Sequence, residues 1–174
     1  TLIFRQLKRL NDLISVSVVE PEVLDKGWSF SEKGDDLYQK KHMYEVYLKG
    51  DPSYQGRVTV PVLWDKKTHT IVNNESSEII RIMNQSFNNI SKNHDDYYPI
   101  NLRAEIDDIN DVIYKNINNG VYKTGFSKTQ ASYDDAVQKL FSSLEMIEDK
   151  LEHQDYLVGN ILTEADIRFV PTLL

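Results

Sequence analysis

Gly56-Arg57-Val58-Thr59-Val60-Pro61-Val62-Leu63-Trp64-Asp65, followed by Ile71-Val72-Asn73-Asn74-Glu75-Ser76-Ser77-Glu78-Ile79-Ile80, is the stretch that decides the fold. Residues 57–60 read as a short strand. Pro61 interrupts it and residues 62–64 resume it. A proline cannot donate a ladder bond, so it belongs at a sheet edge or in a special backbone geometry. Trans is the commoner state of any X-Pro bond. A cis Val60-Pro61 bond would instead turn the Val60 N–H and C=O outward, where an extended peptide ligand could pair with them. Residues 65–68 form a turn, and Ile71 and Val72 return as a hairpin arm. Ile79, Ile80, Met83 and Phe87 mark one face of a helix over 75–87.

Upstream, Ile3, Leu7, Leu10 and Ile14 share one face at helical spacing, which predicts a helix over 1–14. Residues 15–19 alternate and are β-branched, which suggests a strand. Residues 20–50 read as polar and irregular, with an aromatic cluster at Trp28 and Phe30. Downstream, an Asn-, Asp- and Ser-rich run has little to bury and reads as a linker over 89–100. Everything after it is helical. Leu102, Ile106, Ile109, Ile113 and Ile117 make one apolar stripe, and Val137, Leu140, Phe141, Leu144, Ile147 and Leu151 make another. The last helix begins near Thr163 and runs off the end at Leu173 and Leu174. The order is helix, strand, hairpin, helix, linker, then helices only. It matches a thioredoxin-like α+β unit over 1–88, truncated by its first strand, and a truncated all-α domain over 101–174.

Composition narrows the function. The net charge is −7, with Lys and Arg interspersed among acids, which discounts a nucleic-acid partner. There is no cysteine, so neither a disulfide framework nor a thiolate metal site. His42, His69, His94 and His153 are scattered without ligand spacing, so no metal is expected. No apolar run approaches the roughly 20 residues of a membrane span.

Three constellations carry chemistry. Val60-Pro61 is the first. Asn74-Glu75-Ser76 at a helix start is the second: free N–H groups, the Ser76 hydroxyl and the Glu75 carboxylate suit a ligand bearing one carboxylate and one ammonium. The alternative is plain capping by Asn74 or Ser76, with Glu75 answering the helix dipole. Tyr114 and Tyr122 are the third. A buried tyrosine can relay a proton, but on composition alone both read as half-buried packing residues. Thr163-Glu164-Ala165-Asp166 has the form of a capping box, with a structural role.

Together these residues resemble the glutathionyl-hydroquinone reductases, the omega-like or xi-class glutathione S-transferases. Asn118-Asn119-Gly120-Val121-Tyr122-Lys123, Gly125-Phe126, Tyr156-Leu157-Val158-Gly159 and Gly27-Trp28-Ser29-Phe30 extend the resemblance over nearly the whole chain. It implies a fungal source, the cytosol and a homodimer. It implies glutathione as co-substrate and hydroquinone-type aromatic adducts as substrates. Pro61 would be cis and Val60 would pair with the cysteinyl backbone of glutathione. Glu75 and Ser76 would hold its γ-glutamyl end, and Trp28, Arg57, Val58 and Thr59 would line the same site. Tyr122 would donate or accept the proton at the aromatic substrate. The family's nucleophile is a cysteine in a Cys-Pro-Trp-Ala-type motif ahead of the first helix, where a helix N-terminus lowers its pKa. The resemblance places it upstream of Thr1, so the chain by itself is expected to be inactive. The alternative is a non-catalytic glutathione-transferase-like module used for protein assembly.

Overall fold

The computed structural model describes residues 1–173, in two compact units, Thr1–His94 and Asp95–Leu174. In the first unit, α1 spans only Leu2–Leu7. The expected helix over 1–14 is therefore corrected. Arg9 takes a left-handed φ of 54° and ends it. The Arg5 guanidinium then donates to the carbonyls of Ile14 (2.6 Å) and Asn11 (2.8 Å), which fixes the departing turn against α1. Phe4 and Leu10 are fully buried, whereas Ile3 is exposed.

The strand expected over 15–19 lies further along. β1 (Val19–Leu24) pairs antiparallel with β2 (Gly27–Phe30), and Gly27 supplies the positive φ of 78° at the turn. Only Val19 of β1 escapes full exposure, and the Glu20-Pro21-Glu22 run shows no alternation. Nor are residues 31–50 irregular. The buried Asp35 carboxylate accepts the N–H groups of Leu37 (2.9 Å), Tyr38 (2.9 Å) and Lys40 (2.7 Å), and this holds the loop in shape. α2 (Met43–Gly50) follows, with Glu45 accepting the N–H groups of Lys41 and His42, each at 3.0 Å.

β3 (Leu63–Asp65) and β4 (Thr70–Asn73) form the expected hairpin, and α3 (Ser76–Gln85) buries Ile79, Ile80 and Met83. Residues 57–60 are not a strand, and no strand pairs with them among the described residues. The short α4 (Asn88–Ser91) closes at Lys92 with a φ of 52°. One core cluster of this unit gathers Phe30, Met43, Val46 and Tyr47, with Trp28, Val58, Val60, Val62, Trp64 and Ile71 against them.

The second unit is helical: α5 (Arg103–Val112), a π-helical segment (Ile113–Asn118), α6 (Asn119–Gly125), α7 (Gln130–Leu151), α8 (Glu164–Phe169) and a short 3-10 turn (Val170–Thr172). Its core takes Ile106, Ile113 and Ile117 from the first expected stripe and Leu140 and Ile147 from the second, while Phe141 faces solvent. A Cβ on Gly120 would touch the Leu140 side chain at 3.5 Å, so α6 packs closely on α7 there. Of the expected helical ending, Leu173 follows the 3-10 turn and Leu174 lies outside the described residues. Among the described residues no helix is long and apolar enough to cross a membrane.

Candidate functional site

The candidate site of the first unit is organised around Tyr47, a residue that the sequence reading did not single out. α2 buries its ring to 1% exposure beneath residues 58–60. Its hydroxyl donates to the Thr59 carbonyl at 3.0 Å and accepts the Thr59 N–H at 3.3 Å. It also accepts the Asn74 side-chain amide at 3.0 Å, and the same amide lies 3.3 Å from Thr59 Oγ1. One phenol thus links the segment ahead of Pro61 to the loop that opens α3. Tyr54 packs on Tyr47, with ring centroids 4.8 Å apart, and donates to the Arg57 carbonyl at 2.7 Å. A signal for Tyr47 was present. Met43, Val46 and Tyr47 stand at i, i+3 and i+4 behind an acid three residues after His42, the pattern of a capped amphipathic helix.

The Val60-Pro61 bond is cis. Val58, Thr59 and Val60 are half-buried and Arg57 is exposed. Trp28 reaches the same apolar cluster from β2. At the other end of the Tyr47 link, Asn73 Oδ1 accepts the Glu75 N–H at 2.7 Å and its amide donates to Glu78 at 2.5 Å. The cap of α3 is Glu75, not Asn74 or Ser76 as expected. Its carboxylate accepts from the Ser77 hydroxyl at 3.3 Å and more weakly from the Ser77 N–H at 3.5 Å. The Asn74 side-chain amide is instead directed at the Tyr47 hydroxyl and Thr59 Oγ1. Ser76 is the first helical residue, exposed beside Glu75.

A separate cavity of about 490 Å³ in this unit is lined by Ile14, Ser17, Phe30, Val46, Val62 and Trp64 among others. None of the expected glutathione-site residues lines it. Among the described residues no group of three or more His, Asp or Glu could hold a metal ion.

In the second unit, Tyr122 and Tyr114 are 64% and 48% exposed. Both depart from the half-buried packing role that composition suggests. Tyr122 lies on α6, with its ring beside that of Phe126. Elsewhere in this unit Asp166 closes the capping box. One oxygen accepts the Thr163 N–H (2.8 Å) and hydroxyl (3.0 Å), and the other accepts the Leu157 N–H (2.7 Å).

The chain is similar to known proteins over nearly its whole length. The family described as "Glutathione S-transferase, C-terminal domain" matches residues 111–174. The chain is 54% identical over its whole length to a glutathionyl-hydroquinone reductase of Escherichia coli, covering 55% of that protein. It is 48% identical to a glutathionyl-hydroquinone reductase of Sphingobium chlorophenolicum, with 99% of this chain and 56% of the relative aligned. The solved xi glutathione transferase of Saccharomyces cerevisiae, in complex with glutathione, superposes with a TM-score of 0.92 at 36% identity. That superposition covers 99% of this chain and 67% of the yeast one. The chain belongs to the xi-class glutathione transferases.

Xi-class likeness extends to the glutathione-bound structure of a glutathione transferase homologue from Escherichia coli. There the TM-score is 0.96 at 54% identity, over 99% of this chain and 58% of that one. The chain spans somewhat more than half the length of these bacterial relatives, at 55% and 56%. Its fold is accordingly a partial thioredoxin-like unit followed by the helical domain of a xi-class transferase, and the relatives range from bacteria to yeast.

Proposed function

We propose that this chain is the glutathione-binding portion of a reductase acting on glutathionyl-hydroquinones through a cysteine mixed disulfide, the cysteine coming from sequence ahead of Thr1. The observation that carries this reading is the Tyr47 link. It ties the backbone just ahead of Val60 to the helix start bearing Glu75 and Ser76. Family membership adds the chemistry.

Val60 pairs with the cysteinyl backbone of glutathione. The α3 N-terminus and Ser76 hold the γ-glutamyl carboxylate, and Glu75 holds the ammonium beside it. Arg57 offers a planar cation suited to the glycyl carboxylate, and Trp28, Val58 and Thr59 line the site. The cysteine thiolate attacks the sulfur of the adduct, forming an S–S bond as the carbon–sulfur bond breaks. The hydroquinone carbon takes a proton from Tyr122. A second glutathione thiolate attacks the mixed disulfide, releasing glutathione disulfide and restoring the cysteine. Family membership also supports a homodimer working in the cytosol. No observation favours the assembly-module alternative.

Calorimetric titration of glutathione tests the site. The chain binds glutathione, and the Glu75→Ala, Ser76→Ala double variant binds at least about tenfold more weakly, as loss of charge-assisted hydrogen bonds requires. Failure of a well-folded chain to bind would remove the reading.

A further inference from the structure

Arg57 is exposed, and among the described residues its guanidinium has no hydrogen-bond or ion-pair partner. An unheld arginine side chain loses conformational freedom when a ligand fixes it. Where the guanidinium can reach is therefore set by the backbone that carries it. That backbone is held by a second tyrosine, Tyr54.

The hold is built from the end of α2. The Asp51 N–H donates to the Tyr47 carbonyl at 2.9 Å as the helix stops. The Asp51 carboxylate then accepts the Ser53 N–H (2.9 Å) and hydroxyl (2.6 Å), and its carbonyl accepts the Tyr54 N–H (3.0 Å). This turn lays the half-buried Tyr54 ring on Tyr47, with centroids 4.8 Å apart and planes at 52°. From there the Tyr54 hydroxyl donates to the Arg57 carbonyl at 2.7 Å. The stacked phenols thus hold alternate carbonyls of the site segment, Tyr54 that of Arg57 and Tyr47 that of Thr59.

Gly56 is the second observation. A Cβ there would stand 2.6 Å from the Tyr54 hydroxyl oxygen and 2.8 Å from the ring carbon that bears it, closer than real Cβ atoms approach. Gly56 is not among the residues at positive φ, so backbone conformation does not call for a glycine. The phenol passing beside it does.

We propose that Tyr54 is a positioning residue: by holding the Arg57 carbonyl it presets the guanidinium for the terminal carboxylate of a peptide ligand, and so sets the preference for a free carboxylate at that end. A guanidinium grips a carboxylate through two parallel N–H···O bonds only when the two planes are aligned, so backbone drift at Arg57 weakens that group's binding before any other. The ligand, glutathione with its glycyl carboxylate, rests on the function proposed above; the clamp rests on Tyr54, Gly56 and Arg57.

The test titrates glutathione and its glycyl ethyl ester into the full chain by calorimetry. The parent prefers glutathione by at least about tenfold, as a charge-assisted pair requires. Tyr54→Phe keeps the ring on Tyr47 and lowers that preference by about two- to tenfold, the range of one hydrogen bond. The affinity for the ester stays as it was. Gly56→Ala displaces the phenol and has the same effect. In an Arg57→Ala background the preference is already lost, and Tyr54→Phe changes nothing further, because the two residues act as a unit.

An unchanged preference in Tyr54→Phe would overturn the proposal. So would equal weakening of both ligands, which marks a purely structural role, or a parent that binds acid and ester alike. N-acetylglycine, which carries the glycyl carboxylate alone, separates the two readings. It shifts the Arg57 Nε–H signal of the parent in NMR, and shifts it less in Tyr54→Phe at the same concentration; equal shifts would count against the clamp. If glutathione fails to bind the parent while this difference persists, the glutathione reading is wrong and the positioning of Arg57 by Tyr54 stands.

Discussion

Tyr47 shows how much one hydroxyl can hold. It gives its proton to the Thr59 carbonyl and takes protons from the Thr59 N–H and the Asn74 amide. Tyr47→Phe keeps the buried ring and removes all three partners. A net loss of about 2 kcal/mol is expected, between the value of one ordinary hydrogen bond and the cost of orphaned buried groups. Urea unfolding would show a lower midpoint at unchanged slope, and glutathione affinity would fall in parallel because Thr59 and Asn74 are no longer tied. A weakened midpoint with unaltered affinity would confine Tyr47 to stability. Asp65 gives a second residue-scale prediction. The Thr68 hydroxyl, at 2.7 Å, and then the Lys67 N–H, also at 2.7 Å, hold its carboxyl below the usual carboxylate range. A depressed folded pKa stabilises the fold above the unfolded pKa of about 4, and that contribution disappears as the pH falls through the folded value. Thr68→Ala should raise the Asp65 pKa toward its ordinary value, as read by carboxyl-carbon NMR titration.

At the scale of elements, the start of α8 depends on Asp166. Its carboxylate serves Thr163 twice and the Leu157 N–H once, and both Thr163 and Leu157 are buried. Asp166→Ala removes the cap and leaves buried donors unpaired, so a loss of about 2–4 kcal/mol is expected, above the usual range for a cap alone. Chemical denaturation checks it, and a loss below about 1 kcal/mol would mean that water replaces the carboxylate. This element was legible because its capping box is written in adjacent residues. The hairpin and α3 were legible for the same reason: a turn, then Ile79, Ile80 and Met83 at helical spacing. The β1–β2 hairpin was not, because β1 is nearly all exposed and carries no alternation to read. The end of α1 was hidden too, since it is set by the positive φ of Arg9 and by Arg5 reaching nine residues along the chain. Among the site residues, the order of Val60, Glu75 and Ser76 could be read from sequence. The Tyr47 contact that joins them spans 12 residues to Thr59 and 27 to Asn74, and no local pattern encodes it.

At the scale of the whole molecule, the apolar cavity of the first unit suggests what the chain accommodates. Residues 13–15 and 17 line it, and so do residues 62–66, with Phe30, Val46, Ile82 and Phe87 among the apolar surfaces around it. β3 pairs with β4 and has no second strand partner among the described residues, so its other edge keeps backbone groups free for pairing. An apolar cavity of about 490 Å³ next to an unpaired strand edge is suited to one more strand. Extending the chain ahead of Thr1 with an apolar strand followed by a Cys-Pro-Trp-Ala-type segment should therefore do two separable things. It should raise the melting temperature, by about 2–4 °C for each kcal/mol gained in a protein of this size, and protect the β3 amides from hydrogen exchange. It should also confer thiol-dependent release of hydroquinone from its glutathione adduct. Replacing the added cysteine by serine should abolish the second effect and leave the first. Stabilisation without activity would keep the added strand and count against the cysteine mechanism. Activity without stabilisation or β3 protection would mean that the added segment docks elsewhere and the cavity has another use.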